Sequence, residues 1–106
     1  MQVKVTFRNT DSRDEVREHA EEKAEKIKKL MRSPIQVSFT LTKDKIKHFS
    51  ELTVTGDGTH LSASVSATDY FSAIDDSIDK MVTQLRKHKE KMSSKKGGKK
   101  VSQYEE

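Results

Sequence analysis

Four short stretches of this chain alternate apolar and polar residues with a period of two, and that pattern limits the fold more than any other feature. Val3, Val5 and Phe7 alternate with Gln2, Lys4, Thr6 and Arg8, and Ile35, Val37, Phe39 and Leu41 repeat the pattern. Leu52 and Val54 stand between Glu51, Thr53 and Thr55, with Phe49 as the earliest start of that stretch. Leu61, Ala63, Val65 and Ala67 alternate with His60, Ser62, Ser64 and Ser66. Successive side chains of a strand point to opposite faces, so each stretch is a strand with one greasy and one wet face. Gly56-Asp57-Gly58 joins the last two strands, because these residues accept the positive φ of a tight hairpin. Lys43, Asp44, Lys45 and Lys47 read as a basic loop between the second and third.

Two helical patterns supply the cover that such a sheet needs. Ser12 followed by Glu15 fits a capping box at a helix start. The helix then buries Val16, Ala20, Ala24, Ile27 and Met31, with Leu30 at the edge. Its first half is acidic and its second half basic, matching the helix dipole, and Ser33-Pro34 ends it. Asp69 is placed to cap a last helix with Tyr70, Ile74, Ile78, Met81, Leu85 and His88 on one stripe. The order β-α-β-β-β-α predicts an α+β two-layer sandwich, a four-stranded mixed sheet with two helices packed on one face. The long first connection allows a right-handed crossover between parallel strands. The α-β-β-β-α portion is similar to double-stranded RNA-binding domains.

At 106 residues and 31% hydrophobic content, the chain suits one small domain with a thin core. We expect that domain to span 1–92. Residues 93–106, starting Ser93-Ser94-Lys95-Lys96-Gly97-Gly98-Lys99-Lys100, have nothing to bury and read as a disordered basic tail with an acidic end. The chain has no Cys, which removes disulfides, thiolate metal sites and cysteine nucleophiles. The start lacks a signal-peptide core, and no apolar run is long enough to span a bilayer, so a cytoplasmic protein without a membrane partner is expected.

Charge is distributed unevenly. Residues 1–79 hold 12 Lys/Arg against 14 Asp/Glu, whereas 80–100 hold nine against Glu90 alone. A local excess of this kind attracts polyanions through counterion release. Lys80, Gln84, Lys87 and Lys91, spaced i, i+4, i+7 and i+11, fall on one line of the last helix. His19, Lys23 and Lys26 occupy the corresponding flank of the first. Two such lines on neighbouring helices could follow the phosphates of folded RNA without reading its sequence. The outer sheet face carries Thr6, Arg8, Ser38, Thr40, Thr53, Thr55, Ser62, Ser64 and Ser66, and with Phe7 and Phe39 turned inward it is expected to lack an aromatic platform, which disfavours recognition by base stacking on the sheet.

Catalysis finds little support. His19, His48, His60 and His88 lie in no metal-ligand spacing, and His19-Ala20-Glu21-Glu22-Lys23 ends in Lys where a zinc helix needs His. Asp75, Asp76 and Asp79 suit the first turns of a helix, where Asp76 can pair with Lys80. No nucleophile–base constellation is visible. Neither a metal nor any other cofactor is expected.

The last helix carries a more specific signal. Asp69-Tyr70-Phe71-Ser72-Ala73-Ile74-Asp75, Lys80-Met81 and Gln84-Leu85-Arg86-Lys87-His88-Lys89-Glu90-Lys91 closely resemble the hibernation-promoting factor family, also called the ribosome-associated inhibitor A or sigma-54 modulation protein family. Glu18-His19-Ala20-Glu21-Glu22-Lys23, Glu25-Lys26-Ile27 and Glu51-Leu52-Thr53-Val54 resemble it more loosely. The resemblance implies the same β-α-β-β-β-α fold and a non-catalytic ribosome inactivator. Such a factor lodges in the small subunit, overlaps the tRNA and mRNA sites, and silences idle ribosomes in starvation or stationary phase. It also implies RNA contacts by Lys23, Lys26, Lys80, Arg86, Lys87, Lys89 and Lys91, with Arg8 at the end of the first strand. Phe7 stands where many members place Gly. The implied partners are the small ribosomal subunit and its rRNA, with a monomer off the ribosome. Some short members of the family pair ribosomes with a small ribosome-dimerising helper protein and others with longer tails oppose pairing, and the mixed tail here matches neither pattern. The length looks like a short form, or the first domain of a longer protein. Charge alone serves two other readings equally: a general double-stranded RNA-binding module, and an interaction module whose basic helix meets an acidic protein.

Overall fold

The computed structural model describes the backbone of residues 1–32 and 34–97, and side chains as far as His88. Its elements are β1 (Gln2–Arg8), α1 (Asp14–Lys23), α2 (Glu25–Lys28), β2 (Ile35–Asp44), β3 (Lys47–Gly56), β4 (Thr59–Ala67) and α3 (Tyr70–Gly97). The strands form one sheet in the order β1-β2-β3-β4. β1 runs parallel to β2, and the other two pairs are antiparallel hairpin neighbours. The mixed sheet and its one-sided cover thus follow the alternation in the sequence.

Ile35, Val37, Phe39, Leu41, Leu52, Val54 and Ala63 project from the sheet into one core. Val16, Ala20, Ala24 and Ile27 meet them from the first helical stretch, and Tyr70, Ile74, Ile78, Met81 and Leu85 from α3. Among the described residues, Ser50 and Ser77 are the two buried polar ones. Ser77 Oγ donates to the Ile74 carbonyl at 2.9 Å and accepts from Ser50 Oγ at 3.1 Å, so a short hydroxyl relay fastens α3 to β3. Phe7 packs edge-on to Tyr70 at 6.2 Å while the Arg17 guanidinium lies 5.5 Å from its ring centroid.

Several local expectations give way to the geometry. The Ser12–Glu15 capping box does not form: the N-cap is Arg13, in extended conformation with no side-chain cap. Glu15 instead takes a hydrogen bond from Arg13 at 2.9 Å, which lowers the pKa of its carboxyl from the ordinary Glu value. The first helix is broken at Ala24, whose ψ of −17° tightens the turn so that Ile27 N–H reaches the Ala24 carbonyl three residues back. Helix has ended at Lys28, so Met31 is half-buried beyond it, not part of the buried stripe. The expected stop at Ser33 lies outside the described residues.

Lys43 to Lys47 is not a loop. β2 and β3 remain paired as far as Asp44 and Lys47, and only Lys45-Ile46 turn, with Lys45 at a φ of 59°. The second hairpin is as expected, with Asp57 at 56° and Gly58 at 71°. Asp69 does cap α3, accepting from Ser72 N–H at 2.8 Å. α3 continues past the boundary expected at Met92 to Gly97, and the rest of the proposed tail, 98–106, lies outside the described residues. Among the described residues, no helix is long and apolar enough to cross a membrane.

Candidate nucleic-acid interface

The two flanks of α3 meet different neighbours, and this sorts the cations. One flank carries Lys80 and Gln84 toward the edge strand β4. Lys80 Nζ donates to the Ser64 carbonyl at 3.3 Å and Gln84 Nε2 to the Ser62 carbonyl at 2.9 Å. These are carbonyls of an edge strand, which otherwise has no strand to pair with on that side. Lys80 is therefore spent partly on the sheet, and the ion pair expected with Asp76 is replaced by this contact. The opposite edge is treated alike, because Arg17 donates to the Val5 carbonyl of β1 at 3.1 Å.

The other flank of α3 faces α1 and α2. Asp75 meets His19 at 2.7 Å, and the His19 ring stands edge-on to Phe71 at 5.0 Å. Further along, Asp79, Val82 and Arg86 line a groove of about 420 Å³ with Lys26, Lys29 and Leu30 of the first helical stretch. Residues 75, 79, 82 and 86 follow the same i, i+4, i+7, i+11 spacing as the Lys80 line, rotated to the opposite side of the helix. The two lysine lines inferred from sequence are thus not neighbours: the Lys80 line turns away from α1 and α2.

Of the candidate residues, the structure brings Lys26 and Arg86 together. Lys29 completes their cluster. Its signal in the sequence is the i+3 spacing from Lys26, which puts both on one face. Lys23 is half-buried at the end of α1, and Lys87 is exposed on α3. His19 is occupied by Asp75 and Phe71 and does not extend the cationic groove. The side chains of Lys89 and Lys91 lie outside the described residues. His88, on the apolar stripe, is a satisfied edge residue whose Nε2 meets Thr59 Oγ1 at 3.1 Å.

Arg8 belongs elsewhere. It is exposed at the end of β1 on the outer sheet face, with the sheet between it and the helices. The same face holds Phe49, 37% exposed, which corrects the expectation of a face without aromatics. β3 begins at Lys47, and alternation carried back from the buried Leu52 and Ser50 turns Phe49 outward with Glu51 and Thr53.

Comparison with known proteins follows these observations closely. Residues 3–93 match the family model described as Sigma 54 modulation protein / S30EA ribosomal protein. The chain is 34% identical over 92 residues to a ribosome hibernation promoting factor of Escherichia coli (strain K12), covering 87% of this chain and 97% of that one. It is 32% identical over 98 residues to a protein of the same name from Azotobacter vinelandii, covering 92% of each. Among solved structures, the Thermus thermophilus Protein Y N-terminal domain matches with a TM-score of 0.76 and 22% identity, over 83% of this chain and 99% of that one. A ribosomal subunit interface protein from Coxiella burnetii matches with a TM-score of 0.73 and 22% identity, over 84% and 98%. The two structural matches speak to the fold.

Proposed function

The chain belongs to the Sigma 54 modulation protein / S30EA ribosomal protein family, and from that premise we propose that it is a ribosome hibernation factor acting by occupancy and not by catalysis. It binds the small ribosomal subunit in the path of tRNA and mRNA and keeps idle ribosomes silent under stress or in stationary phase, in the cytoplasm. One observation carries this reading: the matched span, 3–93, contains all but the first residue of the sheet, α1, α2, most of α3 and the groove where Lys26, Lys29 and Arg86 converge. Three cations against the one carboxylate of Asp79 leave this groove positive, which suits a phosphate backbone, because each neutralised phosphate releases counterions and none of the contacts reads a base. A small ribosome-dimerising helper protein would act beside it on the same ribosome.

The test is co-sedimentation with purified small subunits through a sucrose gradient, at low and moderate salt, with and without tRNA. Stoichiometric binding that tRNA abolishes supports occupancy of the tRNA path. Absence of binding, or binding indifferent to tRNA, overturns that placement, and a long RNA duplex would then be the ligand to try.

A further inference from the structure

The register of the sheet places Arg8, Thr42, Phe49 and Ser66 in one row across all four strands. The next row holds Thr6, Thr40, Glu51 and Ser64. Between the rows lies a depression of about 240 Å³, lined by Arg8, Thr40, Thr42, Phe49, Glu51 and Ser64 among others. Adjacent strands sit about 4.8 Å apart, so Arg8 and Phe49, two strands apart, are separated by roughly 10 Å at the backbone. Lys47 precedes Phe49 by two residues in β3 and so shares its side of the strand.

We infer that this depression holds one unpaired RNA base stacked on Phe49. The inference rests on the reading that RNA is the ligand, and adds a second contact surface on the side of the sheet opposite the helices. Four features of the place select the occupant. An exposed aromatic ring offers a flat apolar face, which any nucleobase matches. Arg8, across the sheet from that ring, and Lys47, two residues along its strand and in register with Asp44, supply positive charge at two margins of the site, where the phosphates flanking a stacked base would run. Glu51 sits one row in and repels a phosphate from the floor, leaving it to a neutral group that can donate a hydrogen bond, such as the amino group of cytosine. Thr40, Thr42 and Ser64 add hydroxyls that both donate and accept. A purely apolar partner would leave Arg8, Glu51 and these hydroxyls without partners.

With a single aromatic, the site takes one base per molecule. The experiment uses the full chain, isotopically labelled, titrated with hexacytidylate and followed by NMR, with fluorescence anisotropy giving affinities. We expect the Phe49 ring resonances to shift and to show Overhauser contacts to a cytosine ring. Phe49→Ala should weaken binding about tenfold, and Phe49→Tyr should retain it. Perturbations confined to α2 and α3, or unchanged affinity in a folded Phe49→Ala variant, would overturn the inference. So would a concentration-dependent self-association without RNA that Phe49→Ala abolishes, since the face would then be a protein contact. A Lys26→Glu/Arg86→Glu variant separates this outcome from the functional reading: it should lose small-subunit binding while keeping the Phe49 contacts with the oligonucleotide. Failure of the unaltered chain to bind subunits counts against the ribosomal reading alone, and failure of Phe49 to meet the base counts against this one alone.

Discussion

His19 Nε2 and Asp75 Oδ1 stand 2.7 Å apart and tie α1 to α3 across the open side of the helical layer. The same imidazole packs edge-on against Phe71, so one side chain provides both a polar and an aromatic link between the helices. A hydrogen bond of this kind contributes about 1 kcal/mol net, and an edge-on aromatic contact a comparable amount. His19→Ala should therefore lower stability by about 1–2 kcal/mol in urea unfolding. His19→Phe should recover the ring contact and part of the loss. Equal stability of all three proteins would show that the helices are held by the apolar core alone.

The serine relay makes an asymmetric prediction. Ser77→Ala leaves the Ser50 hydroxyl buried without its partner, which costs about 1–3 kcal/mol. Ser50→Ala leaves Ser77 still donating to Ile74 and should cost less than about 1 kcal/mol. Matched urea titrations of the two variants decide it. A larger loss for Ser50→Ala would reverse the assigned direction of donation.

The cap of α3 predicts an acid response. The Ser72 backbone N–H bonded to the Asp69 carboxylate lowers its pKa from the ordinary Asp value, an effect stronger than the opposing desolvation, and His48 adds a smaller push in the same direction. A carboxyl whose folded pKa is depressed contributes stability that is complete above its unfolded pKa of about 3.9 and is lost as pH falls through the lower folded value. Asn caps a helix about as well but carries no titrating proton. Asp69→Asn should match the unaltered protein in thermal midpoint near neutrality and lose less of it in acid. Parallel acid dependence in the two proteins would remove Asp69 from the response.

For the groove between α2 and α3, charge reversal is the direct probe. Lys26→Glu with Arg86→Glu should abolish small-subunit binding in the gradient at moderate salt. Both side chains are exposed, so the circular dichroism and the urea midpoint should hold within about 0.5 kcal/mol. Lys80→Glu should weaken binding less, because the Lys80 ammonium already serves Ser64. The reverse ranking would move the contact surface to the β4 side of α3.

What the sequence made legible was whatever a short period controls. The alternation around Val37 and Phe39, and the stripe from Tyr70 to Leu85, fix which faces are buried, because a one-residue slip would expose the whole set. The family signal in α3 was equally local. Features that depend on a third body were harder to read. The helix spacing shows Lys80, Gln84 and Lys87 in line, but not that β4 lies under that line with two carbonyls to satisfy. Likewise, Arg86 could be assigned to the groove only once α2 was seen beside it. The capping box failed because the helix starts one residue later than it requires, with Arg13 and not Ser12 at the N-cap, and Glu15 bonded to Arg13. Phe49 was within reach by counting back from Leu52 in twos, although the polarity inverts there, with the polar Ser50 buried and the apolar Phe49 turned outward.

The contacts made by Arg17, Lys80 and Gln84 have a consequence for how copies of this molecule meet. Each fastens a carbonyl on the outermost strand of the sheet, one at β1 and two at β4. A fibril lengthens by offering such unpaired backbone to the next chain. Here each rim has at least one carbonyl already taken by a long polar side chain. A newcomer adding to either rim would have to displace these contacts before its own backbone could pair there.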